Sequence, residues 1–366
     1  MSLTPPGSSR DAPSRPADSF AVAVARSDAL QEQIRADPGR FRVLTGDRPT
    51  GALHLGHYFG TLANRVRLQR AGVEVFLVVA DYQVITDRDG VGDLSATVLE
   101  LVGDYLAAGI DPTTATIFAH SAVPALNQLV LPFLSLVTDA ELRRNPTVKA
   151  ESEATGGRPL SGLLLTYPVH QAADILFCHS HLVPVGRDQL PHLETTRTIA
   201  RRFNDRYAAG EPVFAEPDAL LTSAPVLLGT DGTKMSKSRG NAIELRASAD
   251  ETARLVRRAK TDTERVITYE PERRPEVANL LLLASLCTGT DPQVIADSLG
   301  DAGAGALKAL VTEAVNEHLR PLRDRRAELV ADPGHLLAVL RAGNARANQI
   351  ADTTLEQVRR VMDMTY

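Results

Sequence analysis

Residues Val73–Ala80 read VEVFLVVA, a run almost wholly apolar and rich in β-branched side chains. A strand wetted on one face alternates apolar with polar residues, so a strand without alternation must be covered on both faces. A parallel sheet held between layers of helix supplies that cover. The surrounding chain agrees. Arg42–Thr45 is a short apolar-rich strand that ends in the turn formers Gly46, Asp47, Pro49 and Gly51. Helical spacing runs from about His57 to Ala71 and again over Leu94–Ala108, and a further strand is predicted at Ala115–Ala119. Strands alternating with helices form βαβ units, which predicts the α/β class. Ligands of such sheets lie beyond the carboxyl ends of the strands. The turn at 46–57 and the segment Asp81–Thr86 are therefore where chemistry is expected.

Beyond about residue 246 strand signals fade. Helical spacing dominates Val277–Cys287, Leu307–Leu319, His335–Leu340 and Leu355–Met362. A chain of 366 residues exceeds what one small core organises. The pattern predicts an α/β domain over 41–245 and a helical domain over 246–366. Residues 1–40 are expected to be disordered or weakly ordered, because the first 20 are rich in Pro, Ser and Arg and lack the apolar core of a secretory signal. Gly303–Ala304–Gly305 is expected to be a loop between helices. The basic clusters Arg254, Arg257, Arg258, Lys260 and Arg320, Arg323, Arg325, Arg326 are interleaved with acids, as solvated helix faces are.

The net charge of −5 excludes a histone-like nucleic-acid binder, though not an enzyme with local basic patches. Only Cys178 and Cys287 are present, too few for a disulfide framework, which points to a cytoplasmic protein. No apolar run approaches the roughly 20 residues of a membrane span.

Two motifs carry chemistry. His54–Leu55–Gly56–His57 falls on a strand-to-helix turn, where two imidazoles near a helix start can hold a phosphate and stabilise charge developing on it. Gly56 lets a nucleotide approach the backbone closely. Lys234–Met235–Ser236–Lys237–Ser238 lies among Gly229, Gly232 and Gly240, which predicts a mobile loop. Its lysines are point charges on long stems, suited to a leaving pyrophosphate. A P-loop is excluded, since no GK[ST] follows a glycine and four-residue spacer.

HLGH followed far downstream by KMSKS resembles the HIGH and KMSKS signatures of the class I aminoacyl-tRNA synthetases, and the resemblance covers roughly residues 41–366. It implies a Rossmann-like nucleotide domain and a helical anticodon-binding domain. The implied chemistry is attack of an amino-acid carboxylate on the α-phosphate of ATP, with Mg²⁺ entering with ATP, followed by transfer to tRNA. Tyr167–Pro168–Val169–His170–Gln171–Ala172–Ala173–Asp174 and Val183–Pro184–Val185–Gly186–Arg187–Asp188–Gln189 narrow it further. They are similar to the tryptophanyl and tyrosyl pair, which are dimeric, and the wording VPVGxDQxxHxExTR is the tryptophanyl one.

That resemblance implies catalytic roles for His54, His57, Lys234 and Lys237. ATP would also be met by Arg48, Gly56, Gly186, Asp188, Val226, Met235 and Ser236. Tryptophan would be met by Leu44, Gln83, Tyr167, Gln171, Asp174, Val183, Val185 and Gln189. In this scheme Asp174 accepts the indole N–H, while Tyr167 and Gln189 hold the ammonium. A carboxylate reading a donor-only nitrogen is a one-for-one match. The implied partners are tRNA(Trp), ATP and L-tryptophan, in a homodimer without membrane contact.

Two alternatives stand beside it. Tyrosyl enzymes write this helix similarly, but they carry on the first strand a tyrosine where this chain has Leu44, and an apolar neighbour cannot pair a phenol. A synthetase-like binding protein that no longer charges tRNA would not need both motifs intact. The cluster His170, Cys178, His179, His181 and His192 matches no common zinc spacing. Gln83 stands where the tryptophanyl pattern usually has histidine, Gln171 where methionine packs on the indole, and Lys149 is the sole basic candidate of the 145–149 segment for a phosphate. These departures resemble a divergent auxiliary bacterial branch and imply an altered response to indole-based inhibitors.

Overall fold

The computed structural model describes residues 16–86, 92–154, 160–186, 189–208, 210–221 and 226–366. Among them, β1 (Arg42–Asp47), β2 (Glu74–Val79), β3 (Ala115–Ala119), β4 (Leu182–Val185) and β5 (Asp218–Leu221) form one parallel sheet in the order β3-β2-β1-β4-β5. The helices of the first part are α1 (Pro16–Ala36), α2 (Leu55–His57), α3 (Ala63–Arg70), α4 (Leu94–Ala108), α5 (Pro124–Leu134), α6 (Asp139–Arg144), α7 (Pro146–Ala154), α8 (Gly162–Leu176) and α9 (Leu190–Tyr207). Those of the second are α10 (Ala249–Arg258), α11 (Pro275–Thr288), α12 (Pro292–Leu299), α13 (Gly303–Val330) and α14 (Pro333–Val361).

β2 is buried on both faces, as its composition requires. Val75, Leu77 and Val79 pack into one core with α4, α11 and α13, whereas Phe76 and Val78 enter a second core with α5, α8, α9 and α14. Each such side chain contributes about 1.5–3 kcal/mol by leaving water. The helical C-terminal region thus shares its cores with the sheet and packs directly on it.

Both sheet edges are covered, which removes two templates for unwanted strand pairing. At β3, α14 comes so close that a side chain at Gly343 would strike the Ile117 carbonyl. Asn344 there accepts the Ala119 N–H at 2.9 Å. At β5, α1 presents Ser27 to the Leu221 N–H at 2.9 Å, and Arg26 forks onto Asp218 at 2.6 and 2.7 Å. The expectation of a weakly ordered extension to residue 40 therefore does not hold for Pro16–Ala36, whose Leu30 and Ile34 are buried. Residues 1–15 lie outside the described residues.

Three further differences have physical reasons. Gly303–Ala304–Gly305 opens α13 rather than forming a loop, with Gly303 at φ +81° making the turn into it. The two segments His335–Leu340 and Leu355–Met362 are ends of one helix, α14, whose middle is polar where it faces solvent and small where it meets β3. Arg326 is no solvated residue either. It is 11% exposed and pairs with Glu100 and with Asp104 of α4, the latter at 2.6 Å.

Candidate active site

β1 leads to β2 and β3 on one side and is flanked by β4 on the other, so the carboxyl ends of β1 and β4 border the switch point where α/β sheets bind ligands. A cavity of about 410 Å³ opens there. β1 contributes Leu44 to Asp47, α8 contributes Tyr167, Gln171 and Asp174, β4 contributes Val183 and Val185, and Arg48, Gln83, Gly186, Gln189 and His192 complete much of the wall. Most residues expected to meet the amino acid are thus brought together.

HLGH does not line this cavity but adjoins its Asp47–Thr61 wall: Thr61 donates to the His57 carbonyl at 3.1 Å. His54 caps α2, and its ring lies over His57 with centroids 3.7 Å apart. Beyond His57 the helix widens into a π-helical turn over Tyr58–Leu62, a feature frequent beside functional sites. Burial, with the nearby His57 and Lys237, pushes His54 down to about 3. Burial outweighs the pull of Asp47 and takes His57 down to about 4. Both imidazoles are neutral near pH 7 and can offer a ligand hydrogen bonds rather than charge. The space at Gly56 is taken by the His54 ring, 3.0 Å from where a side chain would begin, so the glycine here serves ring packing.

KMSKS meets HLGH. Lys237 donates from Nζ to the Gly51 carbonyl at 2.6 Å, and burial lowers its pKa although Asp47, Asp104 and Glu244 oppose this. Lys234 is exposed and Met235 buried. The segment behind the loop runs back along the HLGH turn: Leu55 N–H to Ile243 O at 3.0 Å and Leu245 N–H to Leu53 O at 2.9 Å. The expected mobile loop has a defined turn in this conformation, organised by buried Asn241. Its Oδ1 accepts the Ser236 N–H at 2.8 Å, and its Nδ2 donates to Asp231 at 2.8 Å and to the Lys234 carbonyl at 3.2 Å.

On the opposite wall Asp174 is 4% exposed. His120 Nδ1 lies 2.9 Å from its Oδ1, and Gln83 Nε2 donates to its Oδ2 at 3.4 Å. Tyr167 O–H and His192 Nε2 are 3.0 Å apart. Beneath the cavity Asp47 pairs with Arg65 and accepts the Tyr105 O–H at 2.7 Å. Burial raises the Asp47 pKa, but Arg65 and Tyr105 outweigh it and hold it below the usual carboxylate range.

Not everything expected converges. Val226 is 69% exposed and Lys149 exposed, neither lining the cavity, while Asp188 lies outside the described residues. The histidines of the zinc-like cluster serve separate partners: His181 Nδ1 takes the Arg42 N–H at 3.0 Å, and His179 lies 3.2 Å from Thr354. Among the described residues no three acid, imidazole or thiol groups are placed to hold a metal. Sequence reasoning missed His120, Asn241 and the Asp47–Arg65–Tyr105 cluster. The signal for His120 was its position directly after a predicted strand, on the edge where ligands bind.

A family model described as tRNA synthetases class I (W and Y) matches residues 37–320. The tryptophan--tRNA ligase of Treponema pallidum is 43% identical over 88% of this chain and 97% of its own. That of Clostridium longisporum is 39% identical, again over 88% and 97%. Among solved structures, the tryptophanyl-tRNA synthetase of Campylobacter jejuni, complexed with ADP and tryptophan, superposes with a TM-score of 0.77 at 29% identity, covering 88% of this chain and 99% of that one. With its two signature motifs meeting beside a sheet-end cavity, the chain belongs to the class I tRNA synthetase family of the W and Y group.

Proposed function

We infer that this chain is a tryptophan--tRNA ligase: it joins tryptophan to ATP, giving tryptophanyl-AMP and pyrophosphate, and then transfers the tryptophanyl group to tRNA(Trp). The observation that carries the reading is Asp174, a buried carboxylate that lines the cavity together with the apolar Leu44, Ile175, Val183 and Val185. Such a group needs a reason to be there, and the indole N–H supplies one. Tyr167 and Gln189, which line the same cavity as Gln171, are assigned to the ammonium.

In the first step a tryptophan carboxylate oxygen bonds to the α-phosphorus while the bond from that phosphorus to the β-phosphate bridging oxygen breaks. The electron pair leaves with pyrophosphate. His54 and His57 donate hydrogen bonds to phosphate oxygens as charge builds, and Lys234 and Lys237 neutralise the leaving group, with Met235 and Ser236 shaping that turn. Arg48 and Gly186 complete the nucleotide side, as do Asp188 and Val226 by the same assignment. The protein forms no covalent bond; positioning and preorganised charge supply the rate. Mg²⁺ arrives on the triphosphate, which suits a site with no acid cluster of its own among the described residues.

Residues 41–245 act as the catalytic unit and 246–366 as the anticodon-binding unit, in a cytoplasmic homodimer. No helix among the described residues is long and apolar enough to cross a membrane. On Gln83 and Gln171 we assign the chain to a divergent branch with its own response to indole mimics. ATP–pyrophosphate exchange across the twenty amino acids is the test. Exchange with tryptophan alone is expected. Exchange led by tyrosine, or none with any amino acid, overturns the reading.

A further inference from the structure

His120 follows β3 directly and is fully buried, behind the cavity rather than on its wall. It brings a titratable group within ion-pair distance of Asp174. The Nδ1 atom lies 2.9 Å from Oδ1, while Gln83 Nε2 sits 3.2 Å from that Nδ1 and 3.4 Å from Oδ2. Oδ1 thereby faces inward in charge contact with the imidazole, without an aligned hydrogen-bond donor. Oδ2 takes a longer contact from Gln83, which itself lines the cavity.

We propose that His120 is a positioning residue for tryptophan selection, its charge contact with Oδ1 holding the Asp174 carboxylate so that Oδ2 is presented to the indole N–H. This rests on the reading of Asp174 as the indole acceptor. A carboxylate with two free rotors' worth of choice would lose orientation, and a buried one without a partner pays the cost of its charge in full. The imidazole meets both needs while its bulk fills the space behind α8, where its ring lies edge-on to Tyr82 at 5.4 Å. Burial lowers the His120 pKa, but the Asp174 carboxylate, aided by Asp81 and Asn127, raises it on balance, as expected of a donor answering an acid.

The discriminating ligand is 3-benzothienylalanine, in which sulfur replaces the indole N–H at nearly constant shape. It lacks the one donor Asp174 reads. The full-length enzyme with ATP and Mg²⁺ is assayed by exchange with tryptophan and with this analogue, in wild type, His120→Leu, His120→Gln and Asp174→Asn. In His120→Leu the KM for tryptophan is expected to rise at least tenfold, with the analogue's KM and the KM for ATP moving less than threefold. His120→Gln keeps a polar side chain that can reach Asp174 but no titratable charge, and should recover part of the preference. Should His120→Leu fail to fold, His120→Ala takes its place, and an unchanged preference in that variant counts against the proposal. Equal losses for both ligands reduce His120 to a packing residue and overturn it. If Asp174→Asn leaves the preference intact, it is the underlying assignment of Asp174 that fails. If Asp174→Asn abolishes the preference while both His120 variants retain it, only the role of His120 falls.

Discussion

Two carboxylates reach the same cavity from different elements, Asp47 at the end of β1 and Asp174 on α8, and the protein answers them differently. Asp47 is met by a guanidinium and a phenol, Arg65 and Tyr105, both fully or almost fully buried. An arginine cannot give up its proton, so that charge pair is permanent and its oxygens are consumed within the fold. Asp174 is met by an imidazole, which can, and by one long contact from Gln83. The first arrangement fixes the floor of the site. The second gives its acid no permanent charge partner. A buried acid is therefore informative only together with the chemistry of its partner.

The largest effect that would break this contrast is on stability. Asp47→Ala strands the Arg65 charge in a buried site and should cost about 3–5 kcal/mol in urea unfolding. Asp174→Ala should cost distinctly less, because His120 can become neutral once its partner is gone. Equal losses would mean that both acids serve the fold alike.

What the sequence made legible follows the same line. The sheet was readable from β2 because an uninterrupted apolar run has few places to be, and Leu94–Ala108 fell on its helix residue for residue. β4 and β5 went unread as strands: each has four residues, too few for a period, and β4 carries Pro184. α1 was hidden by a composition typical of disorder, and its order comes from tertiary contacts at Arg26, Ser27, Leu30 and Ile34. In the site, motif residues were legible because their spacing is local. His120 and Asn241 were not, since their partners Asp174 and Ser236 are brought to them by the fold.

A smaller effect sharpens the contrast, and it is in pH. The groups facing His120 are Asp174 and His170 of α8, Asp81, Tyr82 and Gln83 after β2, and Asn127 of α5. Its folded pKa is raised above the ordinary value of 6.5, so the stabilisation of the charged pair is fully present below 6.5 and is lost as pH rises through the folded value. Neutral His120 gives up that charge contact but keeps its packing, so tryptophan binding should weaken by less than about 1.5 kcal/mol across that rise. The trend should vanish in Asp174→Asn. A wild-type titration identical to that of Asp174→Asn would show that the pair does not couple to binding. No such alkaline limb is expected from Asp47–Arg65.

The central claim is a division of labour, in which the α8 side chooses the amino acid and the HLGH–KMSKS side makes the rate. Single-turnover formation of tryptophanyl-AMP by Lys237→Ala tests it most directly. In the proposed step the lysine meets charge that develops mainly as pyrophosphate leaves. Its removal should lower the maximal rate on the order of 10²–10³-fold, with the tryptophan Kd unchanged within about twofold. A variant that forms the adenylate at the wild-type maximal rate while binding tryptophan at least tenfold more weakly would contradict the account.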